Sequence, residues 1–179
     1  MDKFKKWAEH EYSKKQRAIA VVFGAFIFWA VIPFFIIVFS CYIDQWLRLP
    51  RFCYGLINSV IGLVFMVIGW LFANWTVRVQ FTVGKGTPIP LMATQKLIVK
   101  GPYADCRNPM TLGTNLFYLG VAIWLGSLSA IWLSLVYPVG ILIYIKSIEE
   151  KELETRFGSE YLEYKKKTPF LIPGIRKRD

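Results

Sequence analysis

Three long runs of the sequence contain no Asp, Glu, Lys or Arg: residues 18–43, 52–77 and 108–145. An α-helix rises about 1.5 Å per residue, so roughly 20 apolar residues cross the hydrocarbon core of a bilayer. Each of the first two runs therefore predicts one transmembrane helix. With 55% hydrophobic residues and a mean hydropathy of +0.40, the chain is also too apolar for an ordinary soluble domain.

The third run is too long for one helix and about right for two short ones. Its centre, residues 126–129, reads GSLS, which favours a tight turn. A fold at this turn makes a helical hairpin whose two ends return to the same side of the membrane, whereas a single long tilted helix is the alternative. The predicted fold class is an all-α integral membrane protein with four apolar spans. Helices packed at the mouth of the hairpin would add a fifth core helix.

The basic residues predict the orientation. Of the 22 Lys and Arg residues, all except Arg48 and Arg51 lie before the first span, between the second span and the hairpin, or after the hairpin. The positive-inside rule places these three regions, and both ends of the sequence, on the cytosolic side. Topology and contact with anionic lipid account for the net charge of +10, so no nucleic-acid partner is expected.

The same pattern divides the chain into three parts. Residues 1–17 predict a basic interfacial helix with interleaved aromatic side chains. Residues 18–77 form a membrane hairpin of two spans. Residues 78–179 contain the hairpin 108–145 and C-terminal helices, with Gly158 as a natural helix end and Ser159 as the next N-cap.

Cysteine and histidine usage narrows the chemistry. The three cysteines have no metal-ligand spacing, and the single histidine, His10, lies in the basic leader. This excludes histidine-based catalysis and histidine-rich metal sites, and no metal is expected. Cys41 and Cys53 flank the outer loop, so either a disulfide or two small apolar residues would account for them.

The hairpin's first helix begins with a polar signal. Asn108 is a good N-cap and Pro109 suits the first helical position, so the unpaired N–H groups of this helix face the cytosol. A helix start of this kind is an anion site, and Arg107 adds a permanent charge able to hold a carboxylate or phosphate. An ordinary capped transmembrane helix with an interfacial Arg is the alternative interpretation.

The other arm of the hairpin returns Glu149 and Glu150 to the same mouth, near Tyr103. Such a rim suits a zwitterionic ligand with an aromatic base, and S-adenosylmethionine fits this description. Its carboxylate would contact the helix start, and its amino and ribose groups would contact Glu. The adenine would lie on the apolar backbone of Leu97 and Ile98.

Two segments also carry a family resemblance. The segment GPYADCRNPMTLG, residues 101–113, resembles the G-x-Y-x-x-x-R-H-P-x-Y-x-G motif of the isoprenylcysteine carboxyl methyltransferase family. The segment EEKELETRFGSEYLEYKKKTP, residues 149–169, resembles that family's acidic pair followed by F-G-x-E-Y-x-x-Y and a basic run. Together the motifs cover roughly residues 95–173, in the family's order around an apolar hairpin.

The resemblance implies an integral membrane methyltransferase with S-adenosylmethionine enclosed by residues 78–179 and lipid entering sideways. We predict Arg107 and Glu150 as catalytic residues. The predicted cofactor contacts are Gln95, Lys96, Leu97, Ile98, Tyr103, Asn108, Pro109, Met110, Thr111 and Glu149.

Three positions depart from the family pattern. Asn108 stands where the motif has His, and Thr111 stands where it has Tyr. Ile145 replaces the Arg that usually precedes the acidic pair by four residues and suits a substrate carboxylate. Lys146 is predicted as the substitute substrate contact, although its point charge replaces a bidentate fork.

The expected function is therefore methyl transfer from S-adenosylmethionine to a lipid-like acceptor, with the carboxylate of a prenylated cysteine as the leading acceptor. The active site is expected to face the cytosol from the cell membrane or the endoplasmic reticulum. A phospholipid amine N-methyltransferase is the alternative enzyme. A membrane reductase with a nicotinamide phosphate cofactor and a non-catalytic membrane scaffold are the other two alternatives.

Overall fold

The computed structural model describes residues 12–52, 54–87, 92 and 94–173, and every regular element within them is a helix. The helices are α1 (Lys14–Leu47), α2 (Leu56–Thr82), the short α3 (Pro102–Asp105), α4 (Pro109–Leu125), α5 (Leu128–Tyr144) and α6 (Glu150–Lys167). Three continuous helices in the described part are long and apolar enough to cross a membrane: α1, α2 and Leu128–Phe157, which joins α5 to the first part of α6. α4 is a shorter apolar helix. The predicted all-α integral membrane architecture is confirmed.

Helix α1 begins before the charge-free run because a capping box fixes its start. The Ser13 hydroxyl accepts from the Gln16 amide at 3.2 Å, and the Gln16 side chain accepts from the Ser13 amide at 2.9 Å. The end of the predicted 1–17 segment therefore belongs to the spanning helix, while residues 1–11 lie outside the described part. Arg17 is buried and donates to the carbonyl of Phe81 at 3.2 Å, which ties the start of α1 to the end of α2.

A π-helical turn, Ile27–Val31, interrupts α1 in the middle of the charge-free run 18–43. The Tyr118 hydroxyl of α4 donates to the Phe28 carbonyl of this turn at 3.0 Å. Tyr118 and Ala122 of α4 also form a core with Ile36 of α1 and Ala130 of α5. The first helix is thereby joined to the hairpin.

Helices α2 and α4 touch through their backbones at four glycines. A Cβ atom built on Gly69 would lie 2.5 Å from the Gly113 carbonyl oxygen. About two helical turns further along α4, a Cβ on Gly120 would lie 2.7 Å from the Gly62 carbonyl oxygen. Small residues at such positions permit the close approach on which membrane helix packing depends.

The hairpin turn lies where the sequence predicts it, which excludes a single long helix. α4 ends at Gly126 with φ of 63°, and the Ser127 hydroxyl caps α5 by accepting from the Ala130 amide at 3.0 Å. Asp44 near the C-terminal end of α1 accepts from the Ser129 hydroxyl at 2.6 Å. The turn is thus anchored to the first span.

Beyond the hairpin, the chain continues without a break. α5 ends at Tyr144, the charge-free run ends at Ile145, and Lys146 is the first charged residue after it. We therefore place the end of the membrane-crossing part of the continuous helix Leu128–Phe157 at Ile145. A second π turn, Ile145–Glu149, leads into α6, which bends at Gly158 (φ 55°) where the sequence predicts a helix end. The bend folds Lys165 back onto Glu150.

The cysteines are described in part. Cys41 is a free thiol whose sulfur accepts from Arg51 at 3.8 Å, and Cys53 lies outside the described residues. Cys106 is fully buried. Labelling of Cys106 by a membrane-impermeant reagent would therefore report burial rather than the side of the membrane.

Candidate functional site

A cavity of about 340 Å³ opens at the charged mouth of the hairpin and continues between α4 and α5 as far as Phe28 of α1. This volume is in the range of sites that hold small molecules. Ten of the predicted site residues line it: Leu97, Ile98, Tyr103, Arg107, Asn108, Pro109, Met110, Thr111, Glu149 and Glu150. The two hairpin arms and the loop before them therefore meet at one cavity.

Three predicted residues lie elsewhere. The backbone N–H of Gln95 donates to the Gly84 carbonyl at 2.7 Å, which places this residue in a loop contact beside the cavity. Lys96 and Lys146 have exposed side chains and are not among the lining residues. The structure therefore does not bring Lys146 to a position from which it could hold a group inside the cavity.

Arg107 and Glu150 form an ion pair at the mouth. Their side chains are only 12% and 5% exposed, and the Arg107 guanidinium also stacks on the Phe170 ring at 5.3 Å. Lys165 adds a second cation to Glu150 at 2.8 Å. Arg107 is therefore already paired, contrary to the sequence interpretation in which its charge is free for a ligand.

Asn108 occupies the predicted N-cap position, but its predicted capping contact is wrong. Its side-chain amide donates to the Phe170 carbonyl at 2.8 Å, because the segment after α6 passes over the start of α4. No side chain among the described residues caps this helix start. The N–H groups of Met110 and Thr111 are consequently left to the cavity, which strengthens the case for an anion site.

Three carboxylates line the cavity, and Glu149 differs from the other two because it has no ion-pair partner among the described residues. Arg107 pairs with Glu150, and Arg156 pairs with Glu152 at 3.2 Å, whereas Glu149 has no cation partner among the described residues. Glu149 is exposed at the cavity, but the surrounding protein removes much of its hydration. This loss of hydration, together with the nearby charges of Glu152 and Glu150, raises the pKa of Glu149 to about 7. The site therefore has one uncompensated carboxylate, placed to attract a cationic group.

Tyrosines of α6 pack against the mouth of the cavity. The Tyr164 hydroxyl donates to the Tyr103 carbonyl at 2.7 Å, and both Tyr161 and Tyr164 are buried. Burial raises the pKa of the Tyr103 hydroxyl well above its ordinary value, with a further contribution from Glu149. Tyr103 therefore remains a neutral hydrogen-bond donor at the edge of the cavity.

The inner end of the cavity was missed by sequence reasoning. It is lined by Phe28, Thr114, Asn115, Tyr137 and Pro138 from α1, α4 and α5. Asn115 and Tyr137 lie within the charge-free run 108–145, and a polar residue within a membrane span is a functional candidate. That signal was present, but only the packing of three helices shows that these residues face a common cavity.

Comparison with known proteins agrees with the motifs. A family model described as phospholipid methyltransferase matches residues 57–160, from α2 into α6. Among curated proteins, no relative matches the chain. The matched family is of the integral membrane type that includes isoprenylcysteine carboxyl methyltransferases, and it covers both arms of the hairpin. The chain therefore belongs to the phospholipid methyltransferase family and is a membrane methyltransferase that acts on a lipid-like substrate.

Proposed function

We propose that the cavity binds S-adenosylmethionine and that the methyl group passes to the amine of a phospholipid head group. One observation carries the first half of this proposal. The uncapped start of α4 and the unpaired carboxylate of Glu149 line the same cavity. An anion site and a cation site in one cavity suit the carboxylate and ammonium groups of an amino acid moiety.

The other lining residues fit the remaining parts of this cofactor. Leu97 and Ile98 offer an apolar surface for the aromatic base, and Tyr103 offers a hydroxyl donor. When bound, S-adenosylmethionine would supply a methyl group that a nucleophile attacks in line, with the thioether sulfur as the leaving group; an amine acceptor reacts in its unprotonated form. Arg107 and Glu150 hold α6 against the start of α4, so their proposed catalytic role is to keep the cavity in shape and to exclude water.

The charges of the cavity favour an amine acceptor. Arg107 and Arg156 are both paired with carboxylates, and Lys146 lies outside. Ile145 stands where the resemblance implies an Arg for a substrate carboxylate. The described lining therefore offers no free cation to a carboxylate, whereas an amine needs none. The family description, phospholipid methyltransferase, points to the same acceptor.

A prenylated cysteine is the second candidate acceptor, and the two motifs at residues 101–113 and 149–169 support it. To hold its carboxylate, Arg107 would have to exchange Glu150 for the substrate. We further propose that residues 78–179 form the catalytic half and that the site faces the cytosol. The concentration of Lys and Arg on that side supports this orientation in a cell membrane or the endoplasmic reticulum.

A competition between acceptors tests the proposal. The full chain, purified in detergent, is incubated with radiolabelled S-adenosylmethionine and equal amounts of phosphatidylethanolamine and farnesylated cysteine. We expect the label on phosphatidylethanolamine. Label confined to the farnesylated cysteine would transfer the proposal to the second acceptor, and absence of S-adenosylmethionine binding would refute both.

The affinity for S-adenosylmethionine should depend on pH through Glu149. Because its pKa is raised to about 7, this group is protonated below that pH and ionised above it. A cationic ligand binds the ionised form, so affinity should rise with pH between 6 and 8 and then level off. Glu149→Gln should weaken binding by about 1–3 kcal/mol and abolish this pH dependence.

Glu163→Gln is the matched control for this titration. Glu163 is 73% exposed and lies 4.0 Å from Lys167, remote from the cavity lining. Glu154 is not a suitable control, because it pairs with Lys165 at 2.7 Å, and Lys165 also pairs with Glu150. If Glu149→Gln keeps the parent's affinity and pH profile, Glu149 is not the ammonium contact.

A further inference from the structure

Glu152 offers the cavity a carboxylate oxygen that the sequence motifs did not single out. This residue lies in the first turn of α6, and its side chain lines the cavity and is 19% exposed. Its Oε1 atom accepts from Arg156 at 3.2 Å. Its Oε2 atom has no hydrogen-bond partner among the described residues and is not buried. This second oxygen is therefore accessible to a ligand in the cavity.

Arg156 holds the Glu152 carboxylate beside the loop that precedes α3. The Arg156 guanidinium bridges two acceptors, because Nη1 donates to Glu152 and Nη2 donates to the Thr94 carbonyl. Thr94 and Arg156 also line the cavity, and the Arg156 side chain is only 10% exposed. Since Arg156 is committed to these two acceptors, Glu152 is the member of the pair that remains available to a ligand.

The position of Glu152 relates it to the proposed contacts of the cofactor. On one side, Arg156 links it to the loop that carries Leu97 and Ile98, the proposed surface for the aromatic base. On the other side, Glu149 precedes it by three residues, which is about 4.5 Å along a helix axis at 1.5 Å per residue. Glu149 is the proposed contact of the ammonium group. In S-adenosylmethionine, the ribose connects the base to the amino acid moiety, so the ribose should lie against Glu152.

The chemistry of the free oxygen agrees with this position. An ionised carboxylate accepts hydrogen bonds and cannot donate them, so it suits O–H groups and repels anions. The ribose presents two neighbouring hydroxyl groups, and a hydrogen bond from a hydroxyl to a carboxylate is stronger than one to a neutral acceptor. We propose that Glu152 binds the ribose hydroxyl groups of the cofactor. This inference rests on the proposed function, since it assumes that S-adenosylmethionine occupies the cavity.

Binding of two nucleosides to the full chain, purified in detergent, tests this assignment without methyl transfer. Adenosine carries both ribose hydroxyl groups, and 2′,3′-dideoxyadenosine carries neither. Equilibrium dialysis with the radiolabelled nucleosides gives the ratio of their dissociation constants. The parent should bind adenosine roughly tenfold to a hundredfold more tightly, the range expected for charge-assisted hydrogen bonds. In Glu152→Gln this preference should fall at least about threefold, because a neutral acceptor replaces the carboxylate.

Glu163→Gln is the matched control, because Glu163 also pairs with a cation four residues later on α6 but is 73% exposed and does not line the cavity. It should keep the preference of the parent. Thermal unfolding of each variant is recorded alongside. Where Glu152→Gln does not fold, Glu152→Asp provides the comparison, since it keeps the charge for Arg156 and withdraws the carboxylate from the ligand by one methylene group.

Three outcomes would overturn the inference: no binding of adenosine, equal affinities of the parent for both nucleosides, or an undiminished preference in the folded Glu152 variant. S-adenosylmethionine binding is measured separately on the same proteins. If the parent binds S-adenosylmethionine and has no preference for adenosine, only the ribose contact is refuted. If the parent does not bind S-adenosylmethionine but prefers adenosine through Glu152, the proposed function fails and the ribose contact stands.

Discussion

Replacing Glu150 by Gln is expected to destabilise the protein by about 3–5 kcal/mol, the usual cost of removing one partner from a buried ion pair. Glu150 is only 5% exposed and serves two cations, Arg107 and Lys165. The variant leaves the Arg107 guanidinium buried without a counter-charge, and its Nε atom already lacks a hydrogen-bond partner among the described residues. Thermal unfolding in detergent measures the loss.

The control for this variant is Glu163→Gln, which breaks only an exposed pair and should change stability by less than about 1 kcal/mol. A second variant separates stability from function. Arg107→Met combined with Glu150→Leu removes both buried charges, so it should recover much of the stability lost in Glu150→Gln. It should not recover S-adenosylmethionine binding, because both residues line the cavity. A Glu150→Gln variant as stable as the parent would contradict the buried pair.

Replacing Gly69 by Ala is the second change with a large expected effect. The added Cβ would lie 2.5 Å from the Gly113 oxygen and 2.5 Å from the Phe117 nitrogen, both of them backbone atoms that cannot rotate away. Helices α2 and α4 must therefore separate, at a cost of about 1–3 kcal/mol. Gly69→Leu should cost more. Because Pro109 and Met110 at the start of α4 line the cavity, S-adenosylmethionine affinity should fall as well.

Gly140→Ala is the matched control, since Gly140 also lies in a membrane helix and a Cβ there meets nothing within 4 Å. Alanine is the better helix former, so the apparent melting temperature of this variant should stay the same or rise. A similar loss in both variants would mean that glycine itself, rather than the α2–α4 contact, sets the stability. Equal melting temperatures for Gly69→Ala and the parent would contradict the close packing.

Much of the architecture was predictable because it depends on local properties of the chain. Charge-free runs identified the spans, and the turn at residues 126–129 follows from glycine and serine preferences that the structure confirms at Gly126 and Ser127. The start of α1 was less predictable. The capping box of Ser13 and Gln16 starts the helix at Lys14, four residues before the charge-free run, so hydropathy alone placed the boundary too late.

The sequence predicted many of the residues that line the cavity, but it did not predict which partners those residues bond to. The motifs around Arg107 and Glu149 led to ten residues that do line the cavity. The ion pair of Arg107 was not predicted, because its partner Glu150 is 43 residues away in the sequence. Asn108 was misjudged for the same reason, since its partner Phe170 is 62 residues away.

The sequence by itself determined that this is a helical membrane protein with a hairpin whose charged ends share one face, because hydrophobicity, charge and turn preference act over neighbouring residues. The tertiary structure alone decided which groups remain free for a ligand. Arg107 and Arg156 are paired with carboxylates, whereas Glu149 has no cation partner among the described residues. Hydrogen bonds and ion pairs between distant segments exist only once the helices have packed, so no local pattern reveals which polar group has been left over.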